Sequence, residues 1–188
     1  LLDKDFNSAY NMLNNLLLWA GTQMAGANVQ LQPINVQQIA DENLFLLASN
    51  AQEKNIEVQV DIPENTLVLA DKERLNFVLR NLMLNAVKFT GTGGKVLIKA
   101  ENQEEQITIT VQDTGVGMSE KEIDHLNNGK RFSNMGTANE KGSGLGLMLC
   151  TDFVKSIGGT LTFNSEKGKG SSFVLTLPIV PEPEVISV

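Results

Sequence analysis

Apolar residues recur at helical spacing from the start of the chain. Phe6, Tyr10, Leu13, Leu17 and Met24 form a stripe that Leu16 and Ala20 widen and that Gly26 and Asn28 close, which predicts a helix over residues 3–25. A stripe on a terminal helix needs a partner, either the domain that follows or the other half of a helical hairpin. Pro33 then falls in a short linker, residues 28–35, and Asn35 can cap a helix running to Lys54. Val58, Val60 and Ile62 alternate with Glu57, Gln59 and Asp61, the pattern of a half-buried strand. A second short strand is predicted over 66–70, and Asp71 can cap a helix to Phe89 that the glycines of 91–94 end. Segments 95–101 and 106–112 read as a hairpin joined through 102–105. From 119 to 141 the pattern is irregular and polar, a long loop holding a short helix over 120–126. A helix over 145–157 and strands over 159–164 and 171–177 complete the domain, and linker-like residues follow Pro178. Because several strands are paired as adjacent hairpins, the expected class is α+β. It would be a two-layer sandwich of a mixed sheet with helices on one face, plus the N-terminal helix, rather than a doubly wound parallel sheet.

Three polar clusters interrupt these elements. The first is Asn81-Leu-Met-Leu-Asn85-Ala-Val-Lys88-Phe-Thr90. A helix advances about 100° per residue, so Asn81, Asn85 and Lys88 share a stripe roughly 60° wide, away from the apolar Leu75, Leu79, Leu82 and Ala86. An Asn carbonyl oxygen suits Mg²⁺, which takes few protein ligands and completes its shell with water and phosphate oxygens. One turn on, Lys88 could meet a phosphate. The second cluster, Asp113-Thr-Gly115-Val-Gly117-Met118, directly follows a strand. Its glycines let backbone approach a ligand, and its carboxylate can accept a hydrogen bond from an exocyclic amine such as that of adenine. The third, Gly142-Ser143-Gly144-Leu145-Gly146-Leu147, opens a helix whose free N–H groups form an anion site. Alone, each has an ordinary explanation: a solvated helix edge, a strand-ending turn, a glycine-rich helix start.

Composition narrows the choices. The net charge of -7 and the lack of a basic stripe argue against nucleic acid as the main partner. With 41% hydrophobic residues, a chain of 188 can bury a sizeable core. A single cysteine, Cys150, cannot form an internal disulfide, which fits a reducing compartment, and the Cys/His spacings of zinc sites are absent. The apolar run at 16–20 is too short to cross a bilayer, and no signal peptide is visible. Starting at Leu1 rather than Met, the chain reads as a piece of a longer protein.

Taken together and in order, the clusters resemble the asparagine box and the two glycine boxes of the histidine-kinase ATPase domain. That family shares its fold, the Bergerat type, with gyrase and the MutL repair proteins. Asp71 matches the Asp that precedes the asparagine box, Lys130-Arg-Phe132 sits where the phenylalanine box lies, and the segment from Gly168 to Pro178 looks like the closing strand. The resemblance covers residues 36–178, and LLLWAGTQMAG upstream is similar to the end of a sensor-kinase dimerisation helix. It implies four parts: the end of a dimerisation and phosphoacceptor hairpin at 1–27, a linker at 28–35, the ATPase domain at 36–178 and a tail or linker at 179–188.

The resemblance also implies the site. Asn85 would ligate Mg²⁺ bridging the ATP phosphates. Asn81 and Lys88 would be catalytic, Asn81 at the position that holds a base or water-orienting group in related ATPases. Asp113 would read the adenine amine, with Gly115 and Gly117 shaping the adenine floor. Lys88, Lys141 and the backbone of Gly142, Ser143, Gly144, Leu145, Gly146 and Leu147 would cradle phosphates, and Phe132 would anchor a lid. The implied activity is transfer of the ATP γ-phosphate to a histidine, then to the receiver domain of a response regulator. The implied parent is a homodimer anchored in the inner membrane, with this domain on the cytoplasmic side. His125 is the single histidine, but its context, Glu122-Ile-Asp-His-Leu-Asn-Asn128, lacks the proline and basic residue that normally follow an acceptor. It reads as an exposed loop residue, which leaves the acceptor histidine on a segment outside this chain. A stand-alone ATPase or chaperone of the same fold, a serine-kinase anti-sigma factor and an inactive nucleotide-sensing module remain as alternatives.

Overall fold

Capped amphipathic helices and alternating strands dictate the architecture of the computed structural model, which describes residues 29–128, 134–138, 140 and 144–180. Helix α1 (Val36–Glu53) begins at Asn35, whose side chain accepts from the Gln38 N–H, and it buries Val36, Ile39, Ala40, Leu47 and Ala51 at helical spacing. Helix α2 (Lys72–Phe89) begins in the same way, with the Asp71 carboxylate accepting from the Arg74 N–H. Its inward stripe includes Leu75, Leu79, Leu82 and Ala86, as the spacing predicts. Asn43 joins the two helices by donating to Asn76 at 2.8 Å. Two further helices follow, α3 (Glu120–Asn127) and α4 (Gly146–Ser156).

The main sheet runs in the order β2-β4-β5-β7-β6, built from Glu57–Asp61, Lys95–Asn102, Gln106–Asp113, Gly170–Pro178 and Thr160–Glu166. Strand β2 pairs parallel with β4 and every other pair is antiparallel, so the sheet is mixed. Its inner face presents Val96, Ile98, Ile109, Val111, Phe173 and Leu175 to α2 and α4. Phe77 of α2 meets Phe153 of α4 edge-on, ring centroids 4.9 Å apart. One helical layer on one sheet face makes the α+β sandwich.

Three details correct the sequence-based expectations. Within the expected linker, Gln32–Asn35 is strand β1, antiparallel to β3 (Leu67–Ala70), with Pro33 opposite Leu69. Proline is tolerated there because a strand at a sheet edge can spare an N–H. The glycines of 91–94 do not cap α2. Thr90 does, in extended conformation, with its N–H and hydroxyl both on the Ala86 carbonyl. Past the expected boundary at 178, Ile179 bridges to Val68. The expected helix over 3–25 and residues 181–188 lie outside the described residues.

Candidate functional site

Asn81, Asn85 and Lys88 lie half-buried along one edge of α2. The Asn81 amide nitrogen donates to the Phe77 carbonyl one turn back at 2.8 Å, so the side-chain oxygen is the atom turned away from that bond. That oxygen meets Gly146, the first residue of α4: a Cβ added to Gly146 would lie 2.7 Å from it. The Asn85 side chain takes no hydrogen bond from another described residue. The Lys88 ammonium donates to the Asn134 carbonyl at 3.2 Å and sits 4.8 Å from the centre of the Phe89 ring. Burial pushes the Lys88 pKa down, Glu140 pulls it up and Lys54 pushes it down further, leaving it below the usual lysine value.

The last turn of α2 leaves carbonyls without intrahelical partners, and distant segments satisfy them. The Phe89 carbonyl accepts the Val116 N–H at 3.1 Å, and the Lys88 carbonyl accepts the Thr137 N–H at 3.0 Å. Gly115 lies so close to the Phe89 carbonyl that any Cβ would overlap it. The second cluster is therefore stapled to the helix end that carries the first, while the third abuts the middle of that helix.

Asp113 ends β5 on the inner face and is buried, 4% exposed. Its carboxylate accepts the Gly115 N–H at 2.8 Å. Burial raises its pKa above the ordinary aspartate value, against the opposing hydrogen bonds from the Gly115 and Ser171 backbones. Ser171 is its partner on β7, and Ser165 is the next in line on β6. The Ser165 hydroxyl accepts the Met118 N–H at 2.8 Å and donates to the Gly170 carbonyl at 2.9 Å. Gly117, at φ +58°, packs on the Glu166 carbonyl with no room for a side chain. A carboxylate with this glycine-walled turn beside it can accept one further hydrogen bond from a flat ligand with an amine on its edge.

In the third cluster Gly144 has φ +70°, Leu145 is buried at 2% exposed, and Leu147 packs partly on the core. Both leucine side chains face inward, toward the core, at the start of α4. Phe132, Lys141, Gly142 and Ser143 lie outside the described residues, as do Lys130 and Arg131. His125 is exposed, but it sits in the last turn of α3 rather than in a loop.

The spacing arguments did not find Lys54, Asn134, Thr137 or Glu140, which gather around the C-terminal end of α2. Nor did they find Glu122, whose contacts tie α3 to Asn134. Burial works to raise the Glu122 pKa, but hydrogen bonds from the Ser119 N–H and hydroxyl and from the Asn134 amide, with the Lys167 charge, hold it at about 2. An apolar cavity of about 210 Å³ lies between α1, α2, β2 and β4, lined by Leu44, Leu47, Val58, Met83 and Val96 among others. It has no polar wall to orient a nucleotide. Among the described residues, no group of three or more His, Cys, Asp or Glu side chains could hold a metal ion, and no helix is long and apolar enough to cross a membrane.

Comparison with known proteins shows the family and the fold. Over 194 residues the chain is 27% identical to the signal transduction histidine-protein kinase BarA of Escherichia coli, covering 98% of this chain and 21% of that protein. It is 31% identical over 173 residues to the circadian input-output histidine kinase CikA of Synechococcus elongatus, covering 89% of this chain and 23% of that one. The chain therefore spans less than a quarter of the length of these curated relatives. Its fold matches the crystal structure of full-length ShkA in complex with AMPPNP with a TM-score of 0.75 at 27% identity, over 92% of this chain and 36% of that one. Residues 70–181, more than half of the 188, match the family of histidine kinase-, DNA gyrase B- and HSP90-like ATPases, and the chain belongs to that family.

Proposed function

We propose that this chain is the ATP-binding catalytic domain of a two-component sensor histidine kinase. The observation that carries the reading is the meeting of three clusters on one helix: Val116 and Gly115 at its C-terminal end, Gly146 against Asn81 at its middle. In this reading Asp113 accepts the adenine amine beside Gly115 and Gly117. Lys88 and the N–H groups at the start of α4 face the phosphates, and Lys141, Gly142, Ser143 and the Phe132 side chain complete the contacts. Asn81 orients the reacting end.

The donor set fits Mg²⁺: among the described residues, a half-buried amide oxygen at Asn85 has no competing partner and no acidic cluster offers a cage of protein ligands. When bound, the ion would neutralise phosphate charge. Phosphoryl transfer asks mainly for positioning and charge compensation, which these side chains supply without a protein nucleophile. In the reaction a histidine nitrogen forms a bond to the γ-phosphorus as the bridging bond to the β-phosphate oxygen breaks, and ADP leaves.

The acceptor is a histidine of a dimerisation helix, not His125, and the phosphoryl group passes on to the receiver domain of a response regulator. The parent is a homodimer anchored in the inner membrane. Residues 1–27 belong to the dimerisation hairpin, and a C-terminal tail or linker follows the ATPase domain.

Incubated with labelled ATP and Mg²⁺, the chain alone is expected to bind nucleotide without gaining acid-labile phosphate. Supplied with the parent's helical hairpin, it should label a histidine there. Labelling of His125, or of a serine on a partner, contradicts the proposal. In the same assay Asn85→Ala is expected to slow transfer by about 100-fold or more, the scale on which loss of one charge-stabilising group at a reacting phosphate acts.

A further inference from the structure

Outside the three clusters, the densest polar contact in the described chain is built around Lys54, the residue that ends α1. Its side chain is 10% exposed, and its ammonium reaches four acceptors: the Val87 and Lys88 carbonyls at 3.0 Å each, the Thr137 hydroxyl at 2.9 Å and the Glu140 carboxylate at 2.6 Å. Two of these are orphan carbonyls at the negative end of α2, where a cation is doubly favoured. The other two belong to a segment far along the chain. Thr137 in turn donates its hydroxyl to the Thr90 carbonyl at 2.7 Å, and Glu140 accepts the Ala138 N–H at 2.7 Å while its own carbonyl accepts the Gly136 N–H at 2.9 Å. At the near end of the same segment, Asn134 offers its carbonyl to the Lys88 ammonium and its amide to Glu122. Gly136 lies against both the Lys88 stem and the Glu140 carboxylate with no room for a side chain.

We propose that Lys54 is a positioning residue for the phosphate end of the site: by clamping Thr137 and Glu140 onto the C-terminal turn of α2, it sets the place of Lys88. The role of Lys88 at the phosphates rests on the function proposed above, whereas the clamp itself does not. Lys54 touches no reacting atom in this scheme. It holds the segment whose Asn134 carbonyl and Gly136 backbone confine the Lys88 side chain. Removing one partner of a buried ion pair leaves the other without its counter-charge, so either removal loosens the segment.

Two variants test this, Lys54→Met, which removes the charge and keeps much of the volume, and Glu140→Gln, which breaks the ion pair from its exposed side without substituting any residue of α2. Hydrogen exchange reads the clamp without any ligand. Both variants are expected to speed exchange at the Thr137 and Gly136 amides by about tenfold, with the Val116 amide little changed, because one charged hydrogen bond is lost locally. Titration reads the consequence: ATP affinity falls by about tenfold while adenosine affinity, set at Asp113, stays within about twofold. Lys54→Arg is expected to restore part of the ATP affinity. Unchanged protection at Thr137 in both variants overturns the clamp, as does an equal loss of ATP and adenosine affinity, which is the mark of a merely structural lysine. If the unsubstituted chain binds ATP no better than adenosine, the phosphate role of Lys88 fails instead, and the exchange data still decide the clamp.

Discussion

Replacing Asp113 with asparagine is expected to lower adenine-nucleotide affinity by roughly 10- to 100-fold, the factor equivalent to about 1.5–3 kcal/mol for a hydrogen bond to a charged group. The substitution keeps the shape of the side chain and allows its oxygen to go on accepting the Gly115 N–H. What changes is the other edge, where an NH₂ would confront the adenine amine, donor against donor. Discrimination between adenine and guanine nucleotides should weaken as well. The pH dependence supplies an independent sign. Because burial raises the Asp113 pKa, the proton is held more tightly in the folded than in the unfolded chain. Stability linked to this group is therefore full below the unfolded value of about 3.9 and is lost as pH rises through the folded value. Nucleotide binding needs the ionised form, so it runs the other way: affinity falls as pH is lowered through that raised pKa. Calorimetric titration of the native chain and Asp113→Asn across this range should show the step in the first and not in the second.

Gly170→Ala is expected to lower unfolding stability by about 2–5 kcal/mol, the sum of a left-handed backbone penalty of about 1–2 and overpacking of about 1–3 kcal/mol. Gly170 has φ +96°, and an added Cβ would overlap the Asp113 carbonyl on the neighbouring strand. The same substitution two residues earlier is the control. Gly168 also has positive φ, +81°, yet nothing lies within 4 Å of its added Cβ. Gly168→Ala should thus cost only the backbone part, about 1–2 kcal/mol. Urea denaturation of the two variants checks the difference. Because Gly170 packs against the backbone of Asp113, its variant should also lose nucleotide affinity, and the Gly168 variant should not.

The parts of this fold that were legible in the sequence are those written in local pattern. Asn35 and Asp71 announced the starts of α1 and α2 because a cap needs only the three residues that follow it. Asp113 declared itself by following an alternating strand, and Asn81, Asn85 and Lys88 by sharing one helical face. Strand β1 was missed because four residues containing Pro33 look like punctuation until Leu69 is seen opposite. The end of α2 was misread for a related reason: glycines stand at 91, 93 and 94, but Thr90, Lys54, Val116 and Thr137 do the capping, and three of these come from distant positions. Lys54 and Glu140 could not be paired by any local rule, since their meeting depends on how α1 and the segment at 134–140 both reach the same helix end. Ser165 and Ser171 are equally silent in sequence, and only the register of β5, β7 and β6 sets them in line with Asp113.

The central claim is that one nucleotide touches all three clusters at once. The most direct test is nuclear magnetic resonance of the isotope-labelled chain during titration with Mg²⁺ and a non-hydrolysable ATP analogue. The Asn85 side-chain amide, the Gly115 amide and the Gly146 amide should all shift and saturate with a single common midpoint. A titration in which any of the three stays still, or in which they saturate at different concentrations, contradicts the account.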